Sequence, residues 1–192
     1  MSSLLKPTLT KIIVVAAPSG AGKSSFVERA AQENQRLVDV ITCTTRPMRK
    51  GESQGKPYYF ITEEEFKRKI EEGFFVEWAH VHNRMYGTSH EELEKVWIQN
   101  KCGIMDVDVQ GTRTFKEKFP HAVSIFIIPP SIDELRRRII KRDGGVPADI
   151  ELRMQNAERE MQEAGKFDYQ IVNDNFEASY AEFKKIIEKL LG

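Results

Sequence analysis

Residues 12–24, IIVVAAPSGAGKS, restrict the fold more than any other stretch of the chain. The run from Ile12 to Ala17 is continuously apolar and rich in β-branched residues, the pattern of a strand buried on both faces of a parallel sheet. It leads directly into Ala17, Pro18, Ser19, Gly20, Ala21, Gly22, Lys23 and Ser24, which match GxxxxGK[ST] except for Ala in the first position. Phe26, Val27, Ala30 and Ala31 follow at helical spacing, so the glycine-rich loop opens a helix. A helix N-terminus offers unpaired N–H groups to an anion, and glycines let the backbone approach phosphate oxygens closely. Lys23 then supplies a charge toward the β/γ-phosphates, and the Ser24 hydroxyl is placed to coordinate Mg²⁺. The bland alternative is a strand-to-helix turn that binds nothing.

The rest of the chain extends this unit. Leu37–Ile41, Gly103–Val109 and Val123–Ile128 read as further apolar strands alternating with helical segments, which predicts an α/β fold with a parallel sheet. Thr62 with Glu65, Ser89 with Glu92, and Ser131 with Glu134 fit the S/T-x-x-E pattern of a helix start, and Gly73 marks a helix end. Between residues 42 and 88 the pattern shortens into segments rich in Tyr, Phe, Arg and Gly, as an insertion between two βα units would. A smaller break, DGGVPAD at residues 143–149, separates two helical stretches. The chain shows no internal repeat or low-complexity tract, and its 192 residues suit one domain with insertions.

Formal net charge is zero, so an anion site must be built from local clusters rather than a global field, and neither a nucleic-acid nor a membrane partner is expected. Cys43 and Cys102 lack zinc or disulfide spacing and read as small buried apolar residues. The segment before Lys11 lacks the apolar core of a signal peptide, which makes the cytoplasm the expected compartment. His80, His82, His90 and His121 show no ligand or triad spacing.

Three clusters bear on an acceptor. TCTTRPMRKG, residues 42–51, gathers Arg46, Arg49 and Lys50 among hydroxyls; it reads equally as a phosphate clamp or as a solvated basic loop. Tyr58, Glu77 and the Tyr86-Gly87-Thr88 segment place aromatic hydroxyls and a carboxylate in a strand-like region, although Glu77 alone also reads as an outward strand residue. Asp106 and Asp108, in MDVDVQG, sit at strand period near the carboxyl end of a central strand, where open parallel sheets bind ligands. Carboxylates in so apolar a strand are costly without cationic or polar partners. Asp106 thus takes a position near a metal, and Asp108 faces the acceptor.

APSGAGKSS, TTRPMRKGE, Tyr58, EWA, YGT and DVDVQG, in this order and spacing, resemble the guanylate kinases over nearly the whole chain. The resemblance implies a P-loop NTPase-type parallel sheet flanked by helices: a core at about residues 9–41, 94–135 and 155–192, a GMP-binding insertion at about 42–93, and a lid at about 136–154. It implies transfer of the γ-phosphoryl of ATP to GMP, and to dGMP, with Mg²⁺ held by Ser24 and Asp106. By matching position, Arg46, Arg49, Tyr58 and Tyr86 hold the GMP phosphate, Thr42, Glu77 and Asp108 read guanine, and Thr88 adds a hydroxyl. Residues 17–24 with Ser25 take the ATP phosphates, Asn173 lies near adenine or ribose, and Lys23, Arg138, Arg142 and Arg153 act on the transferred group. Arg138 and Arg142, at i and i+4, would also stand side by side on one helix face, with Arg136 and Arg137 on the solvated face. Thr at position 42 replaces the family's frequent Ser, and the DGGVPAD tip is less polar than usual. The rival readings are a sugar-bisphosphate kinase, such as one for ribose 1,5-bisphosphate, and a non-catalytic phosphopeptide-binding module of the same shape.

Overall fold

The computed structural model describes residues 12–81 and 83–192, so the expected core boundary near residue 9, the leader reading before Lys11 and His82 lie outside the described residues. The chain runs β1 (Ile12–Ala16), α1 (Lys23–Glu33), β2 (Leu37–Asp39), β3 (Cys43–Thr44), β4 (Tyr59–Phe60), α2 (Glu63–Glu71), β5 (Phe75–Val81), β6 (Arg84–Ser89) and α3 (His90–Ile98). It continues through β7 (Cys102–Asp106), α4 (Val109–Lys118), β8 (Val123–Ile128), α5 (Ile132–Asp143), α6 (Ile150–Gln162), β9 (Tyr169–Val172) and α7 (Phe176–Leu191).

A five-stranded sheet in the order β2-β7-β1-β8-β9 forms the centre, and every pairing in it is parallel. The unbroken apolar run of β1 follows from its two covered faces. Ile13 and Val15 pack in one core with Phe26 of α1 and Phe183 of α7, while Ile12 and Val14 pack in another with Leu93 and Val96 of α3 and Phe115 of α4. Side chains alternate across a strand, so both parities must be apolar. Full burial of each such side chain contributes roughly 1.5–3 kcal/mol.

A second sheet, β4-β3-β6-β5, is inserted between β2 and α3. Its small core joins Cys43, Phe66, Phe75 and Met85, with the Phe66 and Phe75 rings stacked at 4.4 Å. The hydroxyls of Thr62, Ser89 and Ser131 accept the backbone N–H three residues on, so all three helix starts lie where the pattern placed them. Gly73, at φ 65°, ends α2, with its N–H donated to the Ile70 carbonyl and that of Phe74 to Lys69. Both cysteines are buried thiols.

Two strand expectations need correction. The run 103–109 stops at Asp106, because the Asp108 carboxylate accepts the Gly111 N–H at 2.8 Å and caps α4. An Asp that captures the N–H three residues ahead starts a helix and cannot extend the ladder. The two carboxylates are therefore a strand end and a helix cap rather than neighbours on one pleat. The run 37–41 pairs only through Asp39 before the chain turns into the second sheet. β9 carried no signal that the sequence reading used.

Candidate active site

One cleft of about 830 Å³ lies between the carboxyl ends of the central strands and the second sheet. Its central-sheet wall is the loop between β1 and α1. Gly20 and Gly22 both take φ of 94°, which a side chain would strain, and the N-cap Gly22 supplies no side-chain hydrogen bond. The Ser25 N–H turns back to the Gly22 carbonyl, and no side chain caps the N–H groups of Lys23 and Ser24, which can face a ligand, in contrast to the hydroxyl-capped starts of α2, α3 and α5. Behind the loop, Asn173 is buried and donates Nδ2 to the Ala21 carbonyl at 2.9 Å, while its Oδ1 has no partner among the described residues. A Cβ on Gly20 would come 2.7 Å from Ile139 Cγ1, so α5 packs directly on the loop.

Asp106 ends β7 opposite Val15 and gathers the central chemistry. Its Oδ2 accepts the Ser24 hydroxyl at 2.9 Å and the Tyr58 hydroxyl at 2.8 Å, with the Lys23 ammonium 4.0 Å away. Burial, reinforced by Asp106, raises the Tyr58 hydroxyl well above its ordinary range, so Tyr58 stays a neutral donor.

The opposite wall belongs to the second sheet. Arg46 makes a two-pronged pair with Glu52 at 2.9 and 2.8 Å, and Glu52 also accepts the Arg49 N–H at 2.7 Å. Among the described residues the guanidinium of Arg49 has no hydrogen-bond partner, and burial together with the charges of Arg142 and Arg46 lowers its pKa. Three guanidiniums, of Arg46, Arg49 and Arg142, thus share one region with Glu52 and Asp143, an excess of positive charge that suits a further anion. Tyr86 lines the same wall, 5.8 Å from the Tyr58 ring.

Deeper in the cleft lies Glu77, 5% exposed. A bulge in β5 between Phe75 and Glu77 turns its side chain inward. Its Oε1 accepts the hydroxyl and the N–H of Thr88, at 2.6 and 3.1 Å. Burial, partly offset by the Thr88 hydroxyl, raises its pKa from 4.5 to about 7. Burial also raises that of Asp108, against the pull of the Gly111 N–H. Thr42 lines the cleft beside these groups.

The structure brings together Lys23, Ser24, Asp106, Thr42, Arg46, Arg49, Tyr58, Glu77, Tyr86, Asp108 and Arg142 around this space. Thr88 lies behind Glu77, and Arg138, Arg153 and Asn173 do not line the cleft. Arg138 pairs with Glu134 and donates to the Asn173 carbonyl, whereas Arg142, four residues further along α5, pairs with Asp143, so the two guanidiniums hold separate partners. Arg153 is held by Asp143 and Asp149, and the solvent-side pair Arg136 and Arg137 bind Glu151 and Glu134. Sequence reading missed three groups. Glu52 was visible only as the last letter of a motif, while Asp39 and Glu160 line the cleft from a strand end and from α6. Burial, with Asp106 adding for Asp39, lifts both to about 7; single acidic residues in such contexts carry no periodic signal. Among the described residues no three His, Cys, Asp or Glu side chains cluster as metal ligands, and no helix is long and apolar enough to cross a membrane.

The family profile described as guanylate kinase matches residues 9–190. A guanylate kinase of Bdellovibrio bacteriovorus is 66% identical over 183 residues, covering 95% of this chain and 99% of that protein. One of Thermotoga maritima is 42% identical, covering 87% and 81%. The crystal structure of guanylate kinase from Anaplasma phagocytophilum superimposes with a TM-score of 0.77 at 33% identity, over 94% of this chain and 86% of that one. The agreement runs from the strand before the phosphate loop into the last helix, and this chain belongs to the guanylate kinase family.

Proposed function

We infer that the chain is an ATP:GMP phosphotransferase, forming GDP by in-line transfer of the γ-phosphoryl group, and that dGMP serves as well. The observation that carries this reading is the facing of two unlike anion sites across one cleft: an uncapped helix start with Lys23 on one wall, and guanidiniums with buried carboxylates on the other.

In this reading residues 17–25 hold the triphosphate, and Arg46, Arg49, Tyr58 and Tyr86 hold the phosphate of GMP. Glu77 and Asp108 accept from the N–H edge of guanine, beside the hydroxyls of Thr42 and Thr88. AMP would present the wrong edge and leave buried carboxylates unpaired, at roughly 1–3 kcal/mol for each lost partner. Residues 42–93 form the acceptor unit and 136–154 the lid. Arg138 now binds Glu134 and the Asn173 carbonyl, and Arg153 binds Asp143 and Asp149; lid closure would carry them with Arg142 toward the transferred group. A loose, charge-spread transition state asks for positioning and neutralisation, which Lys23 and these arginines supply, and closure excludes water.

The Ser24 hydroxyl and Asp106 carboxylate are hard oxygen donors already 2.9 Å apart, a set that fits Mg²⁺, which keeps waters and phosphate oxygens as its other ligands. Bound there, Mg²⁺ would neutralise charge on the triphosphate. A coupled assay with ATP and Mg²⁺ tests the reading, offering GMP, dGMP, AMP, UMP and ribose 1,5-bisphosphate as acceptors. GMP and dGMP should turn over; phosphorylation of AMP, or preference for the sugar bisphosphate, refutes it.

A further inference from the structure

Gly111 sits in the first turn of α4, is buried, and touches both carboxylates assigned to guanine. Its N–H donates to Asp108 Oδ1 at 2.8 Å. On its other side a Cβ would lie 2.9 Å from Glu77 Oε2 and 3.7 Å from Glu77 Cδ, closer than a methyl and a carboxylate oxygen can approach. Such a contact is often relieved by a swing of the acid. Glu77 has little freedom for that, because it is buried and its other oxygen is fixed by two bonds from Thr88.

The position has no backbone need for glycine. Gly111 lies within the helix and is not among the glycines with positive φ, and alanine is the better helix former. The remaining neighbour of an added Cβ, Val107 Cβ at 3.5 Å, is at ordinary contact distance. What the absent side chain provides is space for the Glu77 carboxylate beside the helix that carries Asp108.

From this we propose that Gly111 is a specificity-positioning residue, which sets the separation of Glu77 and Asp108 so that both reach the N–H edge of one guanine. The inference rests on the reading of these two carboxylates as base-reading groups. An added methyl displaces Glu77 Oε2 while leaving the phosphate loop and its chemistry in place.

The test is a double-mutant cycle of Gly111→Ala and Glu77→Ala, with steady-state kinetics and thermal melting of each protein without nucleotide. Gly111→Ala should raise KM for GMP by about tenfold to a hundredfold, the loss of one charge-assisted hydrogen bond, with KM for ATP and kcat at saturating GMP little changed. In the Glu77→Ala background, where the methyl has free space, the same substitution should add almost nothing. Additive effects in the cycle, or an unchanged KM for GMP in Gly111→Ala, overturn the role of Gly111. An unchanged KM for GMP in Glu77→Ala instead overturns the base-reading assignment beneath it. If Gly111→Ala fails to fold, recovery of the fold in the double variant supports the clash, and failure to recover rejects it.

Discussion

The two walls of the cleft are built on opposite plans. The phosphate-loop wall is one contiguous segment whose work is done by backbone: N–H groups of an uncapped helix start, two glycines at φ 94°, and a brace from Asn173 behind. The facing wall is assembled from residues 42–58 and 77–88, with residues 106–111 of the central sheet's β7 end between the two walls, and its polar groups already hold internal partners: Arg46 with Glu52, Glu77 with Thr88, Tyr58 with Asp106. One wall therefore waits for its anion, and the other exchanges bonds it has already made. An exchanging site gains only the difference between old and new partners, so it discriminates more sharply than it binds.

That contrast is broken first at Lys23. Lys23→Ala should lower kcat by about a thousandfold, the scale of a lost transition-state charge donor, while GMP binding measured by calorimetry persists; turnover near that of the parent protein would remove the loop from the mechanism. Asp108→Asn comes next. Asn caps a helix as well as Asp does, so stability should hold while KM for GMP rises about tenfold, which separates capping from recognition. A loss of stability without a change in KM would return Asp108 to a structural part.

A smaller effect follows from protonation. The pKa of Glu77 stands at about 7, above 4.5, because burial penalises its charge. Only the carboxylate accepts from guanine, so KM for GMP should fall as pH rises through about 7, in a profile that Glu77→Gln flattens. For the free protein the sign is opposite. The folded state holds the extra proton between 4.5 and about 7, so the contribution of Glu77 to stability is lost as pH rises across that window. A melting profile of Glu77→Gln with the same slope as the parent protein would contradict this. The smallest change is expected for Asn173→Asp, which turns the donor facing the Ala21 carbonyl into an acceptor. KM should rise severalfold for any nucleoside triphosphate donor, since the brace acts on the loop rather than on the base. A loss confined to ATP would assign Asn173 to adenine.

The same contrast explains what could be read from the chain. The phosphate-loop wall is contiguous, so strand, loop and helix appear together between Ile12 and Ala31. β8 likewise lies at Val123–Ile128, as its apolar run predicts. The acceptor wall depends on strands of two residues, β3 and β4, too short for any period to register, and on a bulge that re-aims Glu77. Its members were recoverable through family likeness more than through pattern. Asp108 was misplaced on a strand because alternation and helix capping look alike over a few residues, and Glu52 went unweighed because its worth comes from folding back onto Arg46.

Asp106 Oδ2 receives a hydroxyl from each wall, Ser24 from one and Tyr58 from the other. A single oxygen has few lone-pair directions, so a ligand that draws Ser24 away strengthens or re-aims the bond from Tyr58, and the reverse holds equally. In thermodynamic terms this atom is a shared ledger for two equilibria: whatever factor the triphosphate applies to the affinity for the monophosphate, the monophosphate must apply to the triphosphate.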